Sequence, residues 1–337
     1  MNSTLPSVSV VIPTFRRPAA LRRTLNSLSA VSYAGVYEII VVDDGSEDST
    51  ANTIESVQRE KPHLRLRFCR QENSGVARAR NHGAQVAEGE VLIFLDDDML
   101  VEPDHLDRHV EHLVSPDARC IVNGAWEFAT EVQRELERSS FGRFRLWLET
   151  WIKSGIEMKP LDANLRTPSM LTACNLGIHR KDFLGLGGFD ESFPAAGYED
   201  QEFVMRATRA SFDFIHDKRI VLSHLDQRTN LNDFSRRVRQ GAMTAGIMAK
   251  KYPAEFGSRP LITENAPVTR QDGVRLILKK FFKSVVATTP SRAVVRASIW
   301  LLDRVAPNSQ LLRTAYWKWC GIWIHVGVRE GLRFPSK

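Results

Sequence analysis

Three consecutive aspartates, Asp96, Asp97 and Asp98, follow directly on the apolar run Val91–Leu95. Carboxylates this close repel one another. At the end of a buried strand that repulsion has to be relieved by a bound cation, by basic side chains or by solvent. Their hard oxygens suit Mg²⁺ or Mn²⁺, an ion that one or two carboxylates hold while phosphate oxygens fill other positions. A solvated acidic loop is the plain alternative, and the apolar run in front weighs against it. Asp43-Asp44-Gly45-Ser46 closes a second apolar run, Glu38–Val42. There a carboxylate can hydrogen-bond a base or ribose edge; equally, the segment reads as an Asp-Gly turn with a helix cap at Ser46 or Asp48. Glu199-Asp200 stands at the expected start of a helix, where the macrodipole favours an ionised carboxylate. Such a group can act as a general base, although acids at helix starts are also ordinary surface residues. His224 follows an apolar strand and can bind a metal through its neutral imidazole; a lone histidine is more often structural.

These residues need a scaffold that gathers them. Val8–Ile12, stopped by Pro13, reads as a buried strand, as do Glu38–Val42 and Val91–Leu95. Leu64–Cys69 has a strand pattern too. Helical periods separate them: Ala19–Ser29 with Leu21, Leu25 and Leu28 on one face, about 48–59, about 76–87, and a helix opened by Pro103. Short apolar strands alternating with helices predict a parallel sheet with crossover helices. In such sheets ligands bind beyond the carboxyl ends of the strands, so Pro13–Arg17, Asp43–Ser46 and Asp96–Asp98 are expected at one crevice. Trp126–Met170 lacks a clear period and is expected to hold irregular or helical insertions. Leu171–Ile178 and Ile220–Ser223 read as strands, Lys181–Leu186 as a short helix, and a helix is expected from Gly197–Asp200 to about Ala210.

Taken in order, the segments resemble the inverting family 2 glycosyltransferases of the GT-A fold. They are Val8–Arg17, Glu38–Thr50, Asn73–Asn81, Gly89–Asp98, Cys174–Ile178, Gly187–Asp190 and Gly197–Asp200, within residues 7–245. The resemblance implies a Rossmann-like, mostly parallel sheet flanked by helices. Residues 1–255 would form the catalytic domain and 256–337 a C-terminal basic, amphipathic helical extension. It implies that Pro13, Thr14 and Arg16, with Asp97, line a nucleotide pocket. Asp43 or Asp44 would recognise the base, and Arg78 or Arg80 would face the nucleotide or its phosphates. Asp96 and Asp98 match the outer acids of a D-x-D metal motif, with Asp98 the direct ligand of Mn²⁺ or Mg²⁺. Asp200 matches the catalytic base, and Glu199 beside it would contact the acceptor or the donor sugar. His224 matches an additional metal ligand, and His179 reads as structural. The implied reaction moves a sugar, with inversion, from a nucleotide-sugar donor to a hydroxyl of a saccharide or lipid-linked acceptor. No Q-x-x-R-W motif of the processive polymerases is found after the base, which favours single additions.

Composition bounds the alternatives. Of 337 residues, 43% are hydrophobic and 26% charged, which excludes disordered and collagen-like chains. Cys69, Cys120, Cys174 and Cys320 form no C-x-x-C pair, so a zinc knuckle is not expected. The first residues lack the pattern of a signal peptide, and no apolar run is long enough for a confident membrane span. A cytoplasmic enzyme, peripheral at the inner face of the cell membrane, is expected. A nucleotidyltransferase would want a glycine-rich loop after the first strand, and Pro13–Pro18 has no glycine. A non-catalytic scaffold of the same fold would be expected to lack part of the acidic set. The net charge of +6 is uneven: residues 267–337 hold 13 Lys/Arg against 3 Asp/Glu, and the remainder 33 against 37. Two apolar stripes at helical spacing lie in that basic tail, Val274, Leu278, Phe281 and Val285, then Leu312, Tyr316, Trp319, Trp323 and Val326. Such stripes suit either an anionic membrane surface or packing on protein. Nucleic acid would account for the charge but not for the stripes.

Overall fold

The computed structural model describes residues 5–155, 158–161, 165–168, 171–226 and 228–335. In chain order the elements are β1 (Val8–Thr14), α1 (Pro18–Leu28), β2 (Tyr37–Asp43), α2 (Thr50–Glu60), β3 (Leu66–Arg70), α3 (Val76–Val86) and β4 (Val91–Leu95). Then come β5 (Met99–Leu100), α4 (His105–Val110), β6 (Cys120–Phe128), α5 (Thr130–Glu137), α6 (Ser140–Ser154), β7 (Met158–Pro160), β8 (Leu165–Pro168) and β9 (Asn175–His179). The rest are α7 (Arg180–Gly185), α8 (Glu199–Arg209), β10 (Asp213–His224), α9 (Leu231–Lys251), α10 (Pro253–Phe256), α11 (Pro260–Thr263), α12 (Val274–Val286), α13 (Thr289–Val305) and α14 (Gln310–Arg333). The chain divides into two compact units. The first comprises Met1–Thr130, Ser154–Glu191 and Glu199–Asp226; the second comprises Glu131–Lys153, Ser192–Tyr198 and Gln227–Lys337.

The first unit is a sheet with helices on both faces. Among the described residues its strands run β3-β2-β1-β4-β9-β6-β10-β8-β7, with β5 added on β10. β3, β2, β1 and β4 are parallel to one another, whereas β9 runs antiparallel to both β4 and β6. Alternate side chains of β1 enter opposite layers. Val8, Val10 and Ile12 pack with Leu21, Leu25 and Leu28 of α1 and Ile54 of α2. Val11 packs with Ile40, Phe94, the alanines of α3 and Phe203 of α8. Burial on both faces is why these strands read as nearly continuous apolar runs, with Ser9 and Glu38 the buried exceptions.

Two expectations need correcting. β1 does not stop at Pro13: pairing with β4 ends at Val11, while pairing with β2 continues through Pro13 to Thr14. The proline sits where one flank is already free, the position at which a strand tolerates its missing N–H. And Trp126 belongs to a nine-residue strand, β6, which begins before it at Cys120. Its first five residues are buried, and its partly exposed end obscures any alternation. The helices α5 and α6 follow as expected; expectations on 156–157, 162–164 and 169–170 fall outside the described residues.

The second unit is helical and is built on α9 and α14. Gly331 explains how close they come: a Cβ there would collide with the carbonyl oxygen of Met243. Trp319 donates its indole N–H to Ser235 Oγ at 2.7 Å. The two tail stripes part company here. Leu312, Tyr316 and Trp319 of α14 are buried within the unit, whereas Val274, Leu278, Phe281 and Val285 of α12 are exposed. Among the described residues no helix is long and apolar enough to cross a membrane.

Candidate active site

The parallel register sets the carboxyl ends of three strands side by side, with Thr14 opposite Asp43 and Val11 opposite Phe94. Leaving β4, the chain turns at Asp96-Asp97-Asp98 and pairs β5 with the end of β10, Met99 opposite His224. The Leu225 N–H donates to the Asp98 carbonyl at 2.8 Å, and Thr24 Oγ1 to the Asp97 carbonyl at 2.9 Å. This backbone frame sends the three carboxylates to different partners.

Asp97 is buried and accepts from Thr14 Oγ1 at 2.7 Å. Arg17 Nη1 lies 3.2 Å from Asp97 Oδ1 and 2.8 Å from Asp98 Oδ2. Asp98 Oδ2 also stands 3.4 Å from His224 Nε2. Burial pushes the Asp97 carboxyl well above the usual range; Arg17 opposes this, and the charge of Asp98 adds to it. Burial alone would lower the Arg17 guanidinium, but Asp97, Asp98 and Asp96 more than reverse that. Arg17 thus supplies the positive charge that three adjacent acids require. The sequence argument allowed for a basic side chain in this role without naming it; the signal was the second arginine of Arg16-Arg17, one turn after the strand.

Asp96 points the other way. Arg80 Nη2 donates to Asp96 Oδ1 at 2.8 Å, and Arg80 Nη1 to Glu199 Oε1 at 2.9 Å. Arg80 is 3% exposed, so this is a buried bridge between the end of β4 and the first turn of α8. Burial works against the guanidinium charge, but Asp96, Glu199 and Asp200 together raise its pKa. Asp200 therefore lies within electrostatic reach of the arginine that holds Asp96. Asp200 itself is partly exposed and accepts from the Gln201 N–H at 2.8 Å. Arg80 is a strut rather than an open side chain. Arg78, two residues earlier on the helix, is exposed, with Glu191 at 4.0 Å.

Asp43 and Asp44, which the sequence leaves as alternatives, have different partners. Asp44 accepts from Gln71 Nε2 at 2.9 Å, from the Ser74 N–H at 2.8 Å and from the Gly75 N–H at 2.9 Å. It ties the turn before α3, where Gly75 adopts φ 94°, a left-handed value suited to glycine. Asp43 Oδ1 accepts from the Ser46 N–H at 2.9 Å, but its Oδ2 is buried without a hydrogen-bond partner, with Arg70 Nε 3.7 Å away. A buried oxygen left unmatched is uncommon in folded proteins. Asp43 is therefore the one of the two with acceptor capacity to spare. The Arg16 N–H donates to Ser46 Oγ at 2.8 Å, which joins the loop after β1 to the loop after β2, and its side chain reaches outward to Glu47.

Asp98 and His224 are donors of the type a small divalent ion takes. Asp98 Oδ2 and His224 Nε2 are close enough to share one, and Asp96 keeps a third of its side chain exposed, 33%. The His224 ring lies against Trp126 and Phe128, with centroids 4.9 Å and 6.1 Å away. Its Nδ1 is buried without a hydrogen-bond partner, so aromatic packing sets the ring's orientation. A second cluster, Glu111, His112 and Asp217, brings ligand atoms within 4.8 Å of one another. There the cation is already a side chain: Arg219 Nη2 lies 2.6 Å from both Glu111 Oε2 and Asp217 Oδ2. His179 is structural, its Nε2 2.9 Å from the Ser115 carbonyl.

Comparison with known proteins agrees with this architecture. The family described as Glycosyl transferase family 2 matches residues 9–183, just over half the chain. The chain is 32% identical over 231 residues to a validoxylamine A glucosyltransferase of Streptomyces hygroscopicus subsp. limoneus, covering 61% of this chain and 48% of that protein. It is 27% identical over 258 residues to the uncharacterized glycosyltransferase YfnE of Bacillus subtilis (strain 168), covering 66% and 65%. It thus spans about half to two thirds of these curated relatives. Among solved structures it is similar to the mannosyltransferase PcManGT from Pyrobaculum calidifontis in complex with GDP-Man and Mn²⁺. The TM-score is 0.58 at 17% identity, covering 96% of this chain and 87% of that one. It is also similar to GalNAc-T7 with UDP, GalNAc and Mn²⁺, with a TM-score of 0.56 at 16% identity, covering 84% and 55%. At these identities the structural likeness is one of fold, the GT-A glycosyltransferase fold. The matching residues run from β1 through the aspartate turn to α7, and on them the chain belongs to family 2 of the glycosyl transferases.

Proposed function

We propose that this chain transfers a glycosyl group, with inversion, from a nucleotide-sugar donor to a hydroxyl of a saccharide or lipid-linked acceptor, and that it needs Mn²⁺ or Mg²⁺ to do so. The observation that carries this reading is the Arg80 bridge. It ties Asp96, one of the acids at the expected diphosphate end, to Glu199, next to the carboxylate that would serve the acceptor. Asp98, Asp96 and His224 would hold the ion, which when bound offsets negative charge on the leaving diphosphate. Pro13, Thr14, Arg16 and Asp43 line the route to the base, and Asp97 keeps Thr14 in place.

The acceptor hydroxyl attacks the anomeric carbon from the side opposite the diphosphate. A new C–O bond forms as the bond to the diphosphate oxygen breaks, which inverts the centre. Asp200, at the open first turn of α8, takes the hydroxyl proton as the oxygen becomes acidic. Glu199 is tied to Arg80 and orients the sugar rather than moving protons. The four cysteines are free, which suits a reducing, cytoplasmic setting.

The test is Mn²⁺-dependent hydrolysis of a panel of UDP-, GDP- and dTDP-sugars. Asp200→Asn is expected to lower turnover by about 10²–10⁴-fold while leaving the melting temperature unchanged. Hydrolysis that survives Asp200→Asn at the wild-type rate contradicts the reading.

A further inference from the structure

Helix α12 is built inside out. Val274, Leu278, Phe281 and Phe282 are 74%, 63%, 66% and 68% exposed. With Val285 they recur at helical spacing along one stripe of a 13-residue helix. Several polar side chains are turned inward beside the partly buried Leu276, Ile277 and Val286. Lys280 is 2% exposed and donates to Asp272 Oδ2 at 2.6 Å and to the Pro267 carbonyl at 3.1 Å. Ser284 accepts from Arg329 Nη1 at 2.8 Å and lies 3.2 Å from His325 Nε2. Lys283 donates to Asn265 Oδ1 at 3.0 Å. A surface helix in water does the reverse. One exposed leucine needs no explanation, but a contiguous apolar stripe does. The next helix also exposes an apolar stripe, Val294, Leu301 and Val305 of α13, although its opposite face is apolar too, with Ile299 buried.

We propose that the outward stripes of α12 and α13 form a docking surface for an anionic lipid bilayer, which the protein binds without crossing. Charge selects this occupant. Residues 267–337 carry 13 basic against 3 acidic side chains; Arg270 before α12 and Arg275 on it are exposed, and Lys279, also exposed, pairs with Glu264 at 2.7 Å. A second copy seated on the same face would set one strongly basic surface against another, which is repulsive; anionic headgroups are attracted to it. Trp300 is 55% exposed with Arg304 stacked over its ring at 3.7 Å, a pairing suited to the headgroup level. No described helix can span the bilayer, so the helices lie in its surface. On the transferase reading, this places the acceptor on a lipid carrier, whereas the docking itself does not depend on that reading.

The experiment is flotation of the full chain with phosphatidylcholine vesicles, with and without about 30 mol% phosphatidylglycerol. The wild type is expected to float with the anionic vesicles and to be released at about 0.5 M salt. The triple variant Leu278→Ser, Phe281→Ser, Phe282→Ser is expected to lose about tenfold or more of that binding. Its melting temperature and its Mn²⁺-dependent thermal shift with UDP or GDP should stay unchanged, because all three side chains are already in solvent. Arg270→Glu with Arg275→Glu should weaken binding to anionic vesicles and leave the fold intact. Failure of the wild type to float, or flotation of the triple variant at the wild-type level, overturns the proposal. So does a wild-type dimer in analytical ultracentrifugation that the triple variant dissolves while neither floats, which would assign the face to a second copy.

Discussion

Arg17 and the aspartates it holds decide how the site behaves without a ligand. Its guanidinium lies within 3.2 Å of Asp97 and 2.8 Å of Asp98. Arg17→Gln leaves two buried carboxylates without that charge, and the arginine's partial exposure tempers the cost. We expect the melting temperature in EDTA to fall by roughly 5 °C. Mn²⁺ should raise it more in the variant than in the wild type. Equal Mn²⁺ shifts in the two proteins would show that the ion binds elsewhere. Asp43 and Asp44 separate by a second pair of measurements. Asp44→Asn removes the charge from an acceptor of three hydrogen bonds and should destabilise the fold by about 1–3 kcal/mol. Asp43→Asn should cost less stability than Asp44→Asn and weaken nucleoside diphosphate binding about tenfold, since its Oδ2 has no hydrogen bond and only the 3.7 Å ion pair with Arg70 to lose. The reverse pattern in calorimetry and thermal melts would exchange their roles.

The elements add a pH dependence of their own. His109 of α4 is fully buried, its Nε2 2.9 Å from Asn175 Oδ1, and burial pulls its pKa down to about 4, although the Asn175 hydrogen bond raises it. His105, 4.9 Å away ring to ring, is also lowered by burial, and His109 and Arg108 push it the same way. Both are depressed below the ordinary histidine value near 6.5, so the unfolded chain binds more protons at mildly acid pH. The contribution of these two histidines to stability should be constant above about pH 6.5 and fall as the pH drops towards about 4. Urea midpoints between those values should decline less steeply in His109→Gln, which keeps an amide near Asn175; an identical slope would count against the assignment. Much of this scaffold was legible because both-face burial writes strands as plain apolar runs, as in Val8–Ile12 and Val91–Leu95. β6 was not, since its partly exposed end breaks the period. The strut role of Arg80 was not either, because its partners, Asp96 and Glu199, are 16 and 119 positions away. Nor could spacing tell the two tail stripes apart: α12 and α14 both show a helical period, and only packing turns one stripe inward and the other outward.

At the scale of the whole molecule, two chemistries are segregated. The acids proposed to bind and react sit in the sheet unit, and the basic, apolar-faced helices α12 and α13 belong to the helical unit. The +6 net charge is the balance of these opposites rather than a uniform property. The central claim is that the aspartate turn after β4 and the start of α8 serve one donor. Calorimetric titration of UDP and GDP into the full chain, with Mn²⁺ or EDTA, tests it directly in wild type, Asp98→Asn and Asp200→Asn. The account predicts tight binding of one nucleotide that requires Mn²⁺, is lost in Asp98→Asn, and is kept in Asp200→Asn although that variant no longer turns over the matching sugar nucleotide. Mn²⁺-dependent binding in Asp98→Asn equal to wild type would contradict it.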